Sequence, residues 1–339
     1  MNWFVEILKA ILLTVLLFTF LAVVTAMLGV LAERKISGWI QSRLGPKHVG
    51  PQGLLQTVAD TVKLLQKEHI TPLNADALTF NIAPIMVAVA ALLAWMIIPF
   101  GPALGRVLVV RDINIGILFF IAMASLIVIG ILLGGWASNN KYALLGGFRS
   151  ASQMISYEIP LALAVMVPIM MAGTLSTVQI VEAQRGGFLG MGHWFIFGGG
   201  RGLPLVIPGV VGFLIFLIAA TAETNRVPFD LPEAESELVA GYFSEYTGMR
   251  FALFQLGEYA EAFGMAALAS VLFLGGWLGP PVLPGVAWFF IKMFALVFFL
   301  MWVRWTYPRL RLDQLLNLSW KGLVPAGFLL VLLTGWLLV

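Results

Sequence analysis

Long runs of apolar residues, separated by short polar stretches, make up most of this chain. Eight runs come close to or exceed the roughly 20 residues that a helix needs to cross the hydrocarbon layer of a bilayer. The runs are continuous and lack the alternation of apolar and polar residues that marks the strands of a membrane barrel. The predicted spans are Trp3–Leu31, Leu78–Pro99, Ile113–Gly135, Ala151–Gly173, Pro204–Ala222, Phe251–Gly275, Val286–Val303 and Gly322–Val339. The pattern therefore predicts an all-α polytopic membrane protein with eight transmembrane helices in a single domain, residues 1–339.

The composition fits a membrane protein and limits its chemistry. Of 339 residues, 60% are hydrophobic and 11% charged, and the mean hydropathy of +0.96 excludes a soluble domain. The chain has no cysteine, so it cannot hold an iron–sulfur cluster through thiolates, and any such metal centre would belong to another polypeptide. Glu6 and Lys9 make the first run a poor match to a signal peptide, and we interpret that run as a membrane anchor.

Lysine and arginine are unevenly distributed among the loops between the predicted spans. The first, third, fifth and seventh loops together hold 14 of these residues, whereas the second, fourth and sixth hold 4. By the positive-inside rule, the first set faces the cytoplasm and both chain termini lie outside. The net charge of +3 comes mainly from this asymmetry, and we expect no nucleic-acid partner.

Two cytoplasmic loops are predicted to carry amphipathic surface helices. In loop one, residues 32–77, Gly-Pro pairs at Gly45 and Gly50 predict a compact turn, and Gln52–Glu68 follows it with apolar residues at helical spacing. We expect this helix to lie in the plane of the membrane interface. It would either stabilise the loop or form one wall of an entrance for a lipid-soluble ligand. Loop seven, residues 304–321, is predicted to contain a second, shorter surface helix.

The fifth loop, residues 223–250, is the most acidic part of the chain. Eight of the 17 acidic residues fall within 39 positions. They are Glu223, Asp230, Glu233, Glu235, Glu237, Glu245, Glu258 and Glu261. Pro228 and Pro232 prevent one continuous helix, so the loop is expected to fold against another part of the protein. Clustered carboxylates titrate as a coupled set and exchange protons when a nearby charge changes, as on reduction of a quinone. The alternative is an acidic patch that docks a basic partner.

Four acidic residues place carboxyl groups within or at the ends of predicted helices. Glu158 lies in the fourth helix, where Pro160 would release the carbonyl of Ser156 and create a place for water. A charged group at such depth costs about 2.5–3.5 kcal/mol on insertion scales. Glu158 should therefore be protonated, face water or be paired, in the last case with Arg149 or Lys141 as a packing contact. Glu223 closes the fifth helix, and Glu258 lies in the sixth together with Glu261.

The acidic loop resembles a known family. The sequence ETNRVPFDLPEAESELVAGY, residues 223–242, and SEYTGMRFALF, residues 244–254, resemble the H subunit of bacterial respiratory complex I, the counterpart of the mitochondrially encoded subunit 1. The resemblance covers nearly the whole chain. Further matching motifs are Glu33-Arg34-Lys35, Arg43–Pro46, Val49–Pro51, Gly53–Gln56, Ala59-Asp60, Gly134–Ser138, Lys141-Tyr142, Ser156–Glu158 and Arg304.

The resemblance implies a place where the membrane and peripheral arms of a large complex meet. Quinone would enter a chamber there from the bilayer toward an iron–sulfur centre in a partner subunit. Residues that would line or support the quinone and the acidic path beneath it are Glu33, Arg34, Asp60, Asp230, Glu233, Glu235 and Arg304. Glu158, Glu223 and Glu258 would begin the proton route toward small and antiporter-like membrane subunits. NADH, flavin and the clusters would be bound by partner subunits, and the chain would lie among the lipids of the bacterial inner membrane.

The sequence departs from the family at two places. Many relatives carry an acid in the third helix about where Ala124-Ser125 stands. Either water held near Ser125 bridges this gap or the proton route differs. Lys47-His48 replaces an Asn-Arg pair that is frequent in relatives, which keeps the basic character of the loop.

Other functions remain open at this point. Within the family, the chain would serve a quinone reductase fed by ferredoxin or a deazaflavin, or a membrane-bound hydrogenase. Outside it, the chain would be a stand-alone cation or metabolite transporter or a structural membrane anchor. A transporter is expected to show internal repeats and helices broken at mid-membrane, and the sequence shows no clear repeat.

Overall fold

The computed structural model describes residues 27–103, 106–187, 190, 192–231 and 240–338. Within these ranges, seven helical segments are long and apolar enough to span a membrane. They are Ala77–Ile97, Gly116–Ala137, Lys141–Ala172, Leu203–Glu223, Gly248–Phe273, Gly285–Thr306 and Leu312–Leu338. Each overlaps one of the last seven predicted spans, and the chain is therefore a multi-pass α-helical membrane protein. The first predicted span, Trp3–Leu31, lies mostly outside the described residues, so the count of eight stays a prediction.

Eleven α-helices and two short strands are assigned within the described ranges. The helices are α1 Gly29–Ile40, α2 Gln56–Gln66, α3 Ala77–Ala94, α4 Gly116–Ala137, α5 Lys141–Ala172, α6 Thr177–Ala183, α7 Val206–Glu223, α8 Gly248–Phe273, α9 Gly285–Thr306, α10 Leu312–Asn317 and α11 Val324–Leu338, and the strands are β1 Gly101–Ala103 and β2 Arg106–Leu108. The two strands form an antiparallel hairpin in the second loop, which the sequence analysis did not predict.

Helix α8 is the most buried of the seven membrane-competent helices and packs against α3, α7 and α9. Small residues make this position possible, because helices in a membrane associate by close packing of their backbones. A Cβ atom on Gly257 of α8 would lie 2.5 Å from a methyl group of Val87 on α3, and one on Gly130 of α4 would lie 2.5 Å from the other. Val87 therefore fits between two glycines, and α3 approaches both α8 and α4 closely.

Helix α5 begins ten residues earlier than predicted. Asn140 caps its first turn by accepting a hydrogen bond from the backbone N–H of Tyr142 at 2.9 Å, which is the usual role of asparagine at a helix N-terminus. Gly146 and Gly147 in the added turns pack closely on neighbouring backbone, with Gly146 against Gly241. Most of the predicted third loop is therefore helical, and Glu158 lies deeper in its helix than the sequence analysis placed it.

The two predicted surface helices differ from their predicted bounds. The first is Gln56–Gln66, shorter than Gln52–Glu68, because Pro51–Gly53 forms a 3-10 turn in which Gln52 has φ 51°. In loop seven, α10 continues through π-helical turns at Leu318–Leu323 into α11. The predicted separate helix of loop seven is therefore the first part of the last membrane-competent helix.

Candidate functional site

Four segments of the chain meet at a buried group of charged side chains. Glu33 of α1 accepts hydrogen bonds from Arg226 at 2.8 Å, from the Tyr259 hydroxyl at 2.7 Å, and from Arg304. Arg226 lies in the loop after α7, Tyr259 on α8 and Arg304 on α9. Arg226 Nε also lies 3.2 Å from Glu258 Oε1, and its guanidinium stands 4.4 Å from the centre of the Tyr259 ring. These five residues, Glu33, Arg226, Glu258, Tyr259 and Arg304, are called the charge cluster below.

The charge cluster keeps Glu33 and Arg226 ionised despite their burial. Burial alone would raise the pKa of Glu33, but the charges of Arg226 and Arg304 and the Tyr259 hydrogen bond outweigh it and hold this pKa below its ordinary value. Burial alone would lower the pKa of Arg226, whereas the charges of Glu33 and Glu258 raise it well above the ordinary value. Removing Glu33 or Arg226 would take from a buried charge part of its compensation, which is costly.

A cavity of about 470 Å³ opens beside the charge cluster, between α1, α2, α8 and α9. Its volume falls in the range typical of small-molecule sites, about 300–1,000 Å³. Its lining joins apolar and charged side chains from these helices. The apolar ones include Val30, Leu64, Phe251, Leu256 and Trp305, and the charged ones include Glu33, Arg34, Asp60, Glu258 and Arg304. Four of the residues predicted to line a quinone, Glu33, Arg34, Asp60 and Arg304, are thus brought together.

One side of the cavity is closed by an ion pair between α1 and α2. Arg34 donates to Asp60 at 2.5 Å, and Gln56 donates to the other carboxylate oxygen at 3.1 Å. Partial burial favours a higher pKa for Asp60, but the hydrogen bonds from Arg34 and Gln56 and the charge of Arg34 lower it below its ordinary value. Helix α2 and the turn before it also expose a row of apolar side chains. The row consists of Leu54, Leu55, Val58, Val62 and Leu65.

Asp230, also predicted for the quinone site, does not line this cavity. It is buried, and one of its carboxylate oxygens accepts a hydrogen bond from Arg309 at 3.0 Å. The backbone N–H of Leu310 donates to the carbonyl of Pro228 at 3.1 Å. Asp230 therefore ties the loop after α7 to the loop after α9. Glu233 and Glu235 lie outside the described residues.

Further carboxyl groups continue inward from the charge cluster. Glu261 on α8 interacts electrostatically with Glu258 and with Glu223 at the end of α7, and Glu223 interacts in turn with Glu158 on α5. Glu223 Oε2 and Glu261 Oε1 are buried and have no hydrogen-bond partner among the residues that the structure describes. Glu258, Glu261, Glu223 and Glu158 are called the acid series. Three of its four members were predicted for the proton route.

Glu158 on α5 is the last member of the acid series, and it contacts α4. The hydroxyl of Ser125 donates directly to Glu158 Oε1, so Ser125 contacts the acid without an intervening group. The carbonyl of Ser156, which Pro160 leaves free, accepts a hydrogen bond from the Ser319 hydroxyl at 2.6 Å. The predicted place for water at this carbonyl is therefore filled by a protein side chain, because the last helix packs against α5 at this level.

An amide side chain on α5 makes several of the contacts that hold the loop after α7 in place. Gln153 Nε2 on α5 donates to the carbonyls of Ala222 and Phe229, both at 2.7 Å, and lies 3.1 Å from Asn225 Oδ1. The loop thus folds against α5, as its prolines predicted, and this fixes Arg226 over Glu33. Sequence reasoning did not assign Gln153, Arg226 or Tyr259 to the site. The signal available for Arg226 was a lone cation within a stretch dominated by acids.

Comparison with known proteins gives one consistent result. The family described as NADH dehydrogenase matches residues 12–335. The NADH-quinone oxidoreductase H subunit numbered 2 of Geobacter sulfurreducens is 50% identical over 315 residues, which is 91% of each chain. The H subunit of Brevibacillus brevis is 48% identical over 309 residues, covering 89% of this chain and 85% of its own. The H subunit of Rhodospirillum rubrum is 47% identical over 331 residues, covering 94% and 92%. The chain belongs to the family of NADH-quinone oxidoreductase H subunits.

The match to this family extends over the entire site. The matched range, residues 12–335, contains the charge cluster, the cavity lining and the acid series. The described residues include no group of three His, Cys, Asp or Glu side chains arranged to hold a metal ion. The resemblance predicted from the acidic loop is confirmed.

Proposed function

We propose that this chain is the membrane subunit of a proton-pumping NADH-quinone oxidoreductase, where it forms part of the quinone chamber and couples quinone reduction to proton translocation. The observation that carries the proposal is the position of Arg226. It contacts Glu33, which lines the cavity, and Glu258, the first member of the acid series. A single cation thus joins a place where a ligand fits to a path of buried carboxyl groups.

The cavity suits a molecule with a polar head and a long apolar tail. Leu64, Phe251, Leu256 and Trp305 offer apolar contacts for an isoprenoid chain. Arg304 and the other donors at the cluster offer hydrogen bonds to quinone oxygens. The exposed apolar row on α2 stands beside this opening and supports entry from the lipid layer.

Reduction of a quinone near the cluster would redistribute its charges. Two unit charges 4 Å apart interact by about 4 kcal/mol at an effective dielectric constant of 20. A reduced quinone carrying negative charge therefore competes with Glu33 and Glu258 for the arginines. When Arg226 moves toward that charge, the Glu258 carboxylate loses its partner and binds a proton more readily. This proton is then available to the acid series.

The remaining parts of the reaction belong to partner subunits in this proposal. The chain has no cysteine, and the names of its relatives refer to an NADH-quinone oxidoreductase. NADH, flavin and iron–sulfur clusters would be held by peripheral subunits docked on the cytoplasmic side, where the acidic loop with Glu233 and Glu235 would face them. Protons would continue into the adjoining membrane subunits within the bacterial inner membrane.

The proposal is tested by replacing Glu258 with glutamine in the assembled complex. We expect NADH-driven quinone reduction to fall by about tenfold or more, since a proton-transferring side chain contributes on the order of 10²–10⁴ to a rate. NADH oxidation by a hydrophilic acceptor should stay unchanged, because that acceptor draws electrons before the quinone site. Glu68→Gln, at an exposed acid beyond α2, is the matched control. Equal loss with both acceptors, or no loss with either, would refute the proposal.

A further inference from the structure

Glu261 stands in the middle of the acid series, and the sequence analysis assigned it no role. It lies on α8 one turn after Glu258, and only 6% of its surface is exposed. The groups that act on it are Glu258 on its own helix, Glu223 on α7 and Arg226 in the following loop. Its Oε1 has no hydrogen-bond partner within the described part of the chain.

A carboxyl group gives no packing advantage at this position. Burying a polar oxygen without a partner costs free energy, and a carboxylate costs more than an amide of the same shape. Its immediate neighbours along α8, Ala260 and Ala262, are small and apolar, and the next residue, Phe263, is a buried aromatic. A residue that holds only the helix packing would be an apolar side chain or glutamine. What a carboxyl adds is the capacity to bind and release a proton.

Glu261 is also placed where a proton carrier would be needed, between two other carboxyl groups. It interacts with the carboxyl group that precedes it in the series, Glu258, and with the one that follows, Glu223. Glu261 and Glu223 each have one buried oxygen with no hydrogen-bond partner among the described residues, and a carboxylate oxygen can accept a proton. Transfer between two carboxyls requires hydrogen-bond contact or one intervening water molecule, so the proposal requires the side chains of Glu258, Glu261 and Glu223 to reach each other directly or through one water molecule.

We propose that Glu261 is a proton carrier that links Glu258 to Glu223. The inference rests on the proposed function of the chain and adds a residue to its route. In the first step the O–H bond of protonated Glu258 breaks and an O–H bond forms on the Glu261 carboxylate. In the second step the proton passes from Glu261 to Glu223. No electrons move in either step, and the total charge of each pair is unchanged.

The test compares two substitutions in the assembled complex. Glu261→Gln keeps the shape of the side chain and abolishes proton binding, whereas Glu261→Asp keeps a carboxyl group. We expect Glu261→Gln to lower quinone reduction and proton translocation on the order of tenfold, with oxidation of NADH by a hydrophilic acceptor unchanged. Glu261→Asp should retain most of both activities. Ser270→Ala, a buried position further along α8, controls for disturbance of the helix and should behave as wild type.

Two results would overturn the inference. One is a wild-type rate and proton yield in Glu261→Gln, as expected if the side chain only fills space. The other is an equal loss in Glu261→Gln and Glu261→Asp, which would indicate damaged packing. If the glutamine variant does not assemble, the inference is tested by infrared difference spectra of wild type and Glu261→Asp, recorded on reduction of the quinone. The band of a carboxyl that changes protonation should shift between wild type and Glu261→Asp, and identical spectra would contradict the proposal.

The Glu258→Gln variant separates this inference from the proposed function. If Glu258→Gln loses quinone reduction and Glu261→Gln does not, the series operates without Glu261 and only the inference fails. If both variants are fully active, the acid series carries no protons and the proposed function fails as well.

Discussion

Replacing Glu33 with glutamine removes the carboxylate on which the charge cluster is centred. In the folded protein this carboxylate accepts hydrogen bonds from Arg226, Tyr259 and Arg304. Glutamine keeps one oxygen, loses the negative charge, and presents an amide N–H₂ group toward two cations. Arg226 then keeps Glu258 as its remaining ion-pair partner among the described residues.

The size of this effect follows from the burial of the two arginines. Removing one partner of a buried ion pair costs about 3–5 kcal/mol. The lower end applies here, because Glu258 still lies 3.2 Å from Arg226 and the Arg304 side chain is 28% exposed. We therefore expect about 3 kcal/mol of local destabilisation, a factor of roughly 100–200 in the opening equilibrium of the loop that carries Arg226.

Amide hydrogen exchange on the assembled complex measures this opening directly. Protected amides in residues 224–231 should exchange about 100-fold faster in Glu33→Gln than in wild type, whereas Glu68→Gln should leave them unchanged. A change of less than about threefold would show that the cluster does not hold the loop and would refute the reasoning.

The lowered pKa of Glu33 also predicts how the difference in hydrogen exchange between wild type and Glu33→Gln changes with pH. Because the pKa of Glu33 is lowered below its ordinary value of 4.5, its stabilisation is fully present above that value and is lost as pH falls through the lowered pKa. The difference between wild type and Glu33→Gln should therefore be constant at neutral pH and shrink only in acid. A difference that disappears between pH 6 and 8 would contradict the assignment of an ionised Glu33.

Other substitutions test separate parts of the account. Glu158→Gln should leave assembly intact and lower quinone reduction linked to pumping, and full activity with a normal proton yield would remove Glu158 from the route. Ser125→Ala removes one hydrogen bond to that acid, worth about 1.5–3 kcal/mol when the partner is charged, and should weaken pumping less than Glu158→Gln does. Asp60→Ala should slow quinone reduction more than reduction of a hydrophilic acceptor. Equal slowing of both by Asp60→Ala would argue against a role of the cavity wall in quinone binding.

Much of the fold follows from the apolar runs, because about 20 apolar residues in sequence have few alternatives to a membrane helix. The predicted start of α5 was wrong because the polar stretch before Ala151 was taken for a loop, although Asn140 caps a helix there and Gly146 leaves space for a neighbouring backbone. The join between α10 and α11 was missed because Lys321 and Gly322 interrupt the apolar run, whereas the backbone continues past them in π-helical turns. The close approach at Gly146 and the π-helical turns depend on packing that a single sequence does not display.

The candidate site was predictable to the extent that its residues form motifs. Glu33, Arg34, Asp60 and Arg304 were assigned together and do line one cavity. Arg226 was not assigned, since its importance comes from contacts with α1 and α8, which lie far from it in sequence. Glu261 was counted among the acids but not assigned to the proton route, because its interaction with Glu223 depends on how α7 and α8 pack.

The central claim, that quinone occupies the cavity beside the charge cluster, is tested most directly by a cryo-EM map of the assembled complex with a long-chain quinone bound. The account predicts quinone density between α1, α2 and α8, in contact with the cavity lining near Arg34 and Leu64 and leading toward Glu33 and Arg304. Quinone density confined to another part of the complex, with this cavity closed by partner side chains, would contradict it.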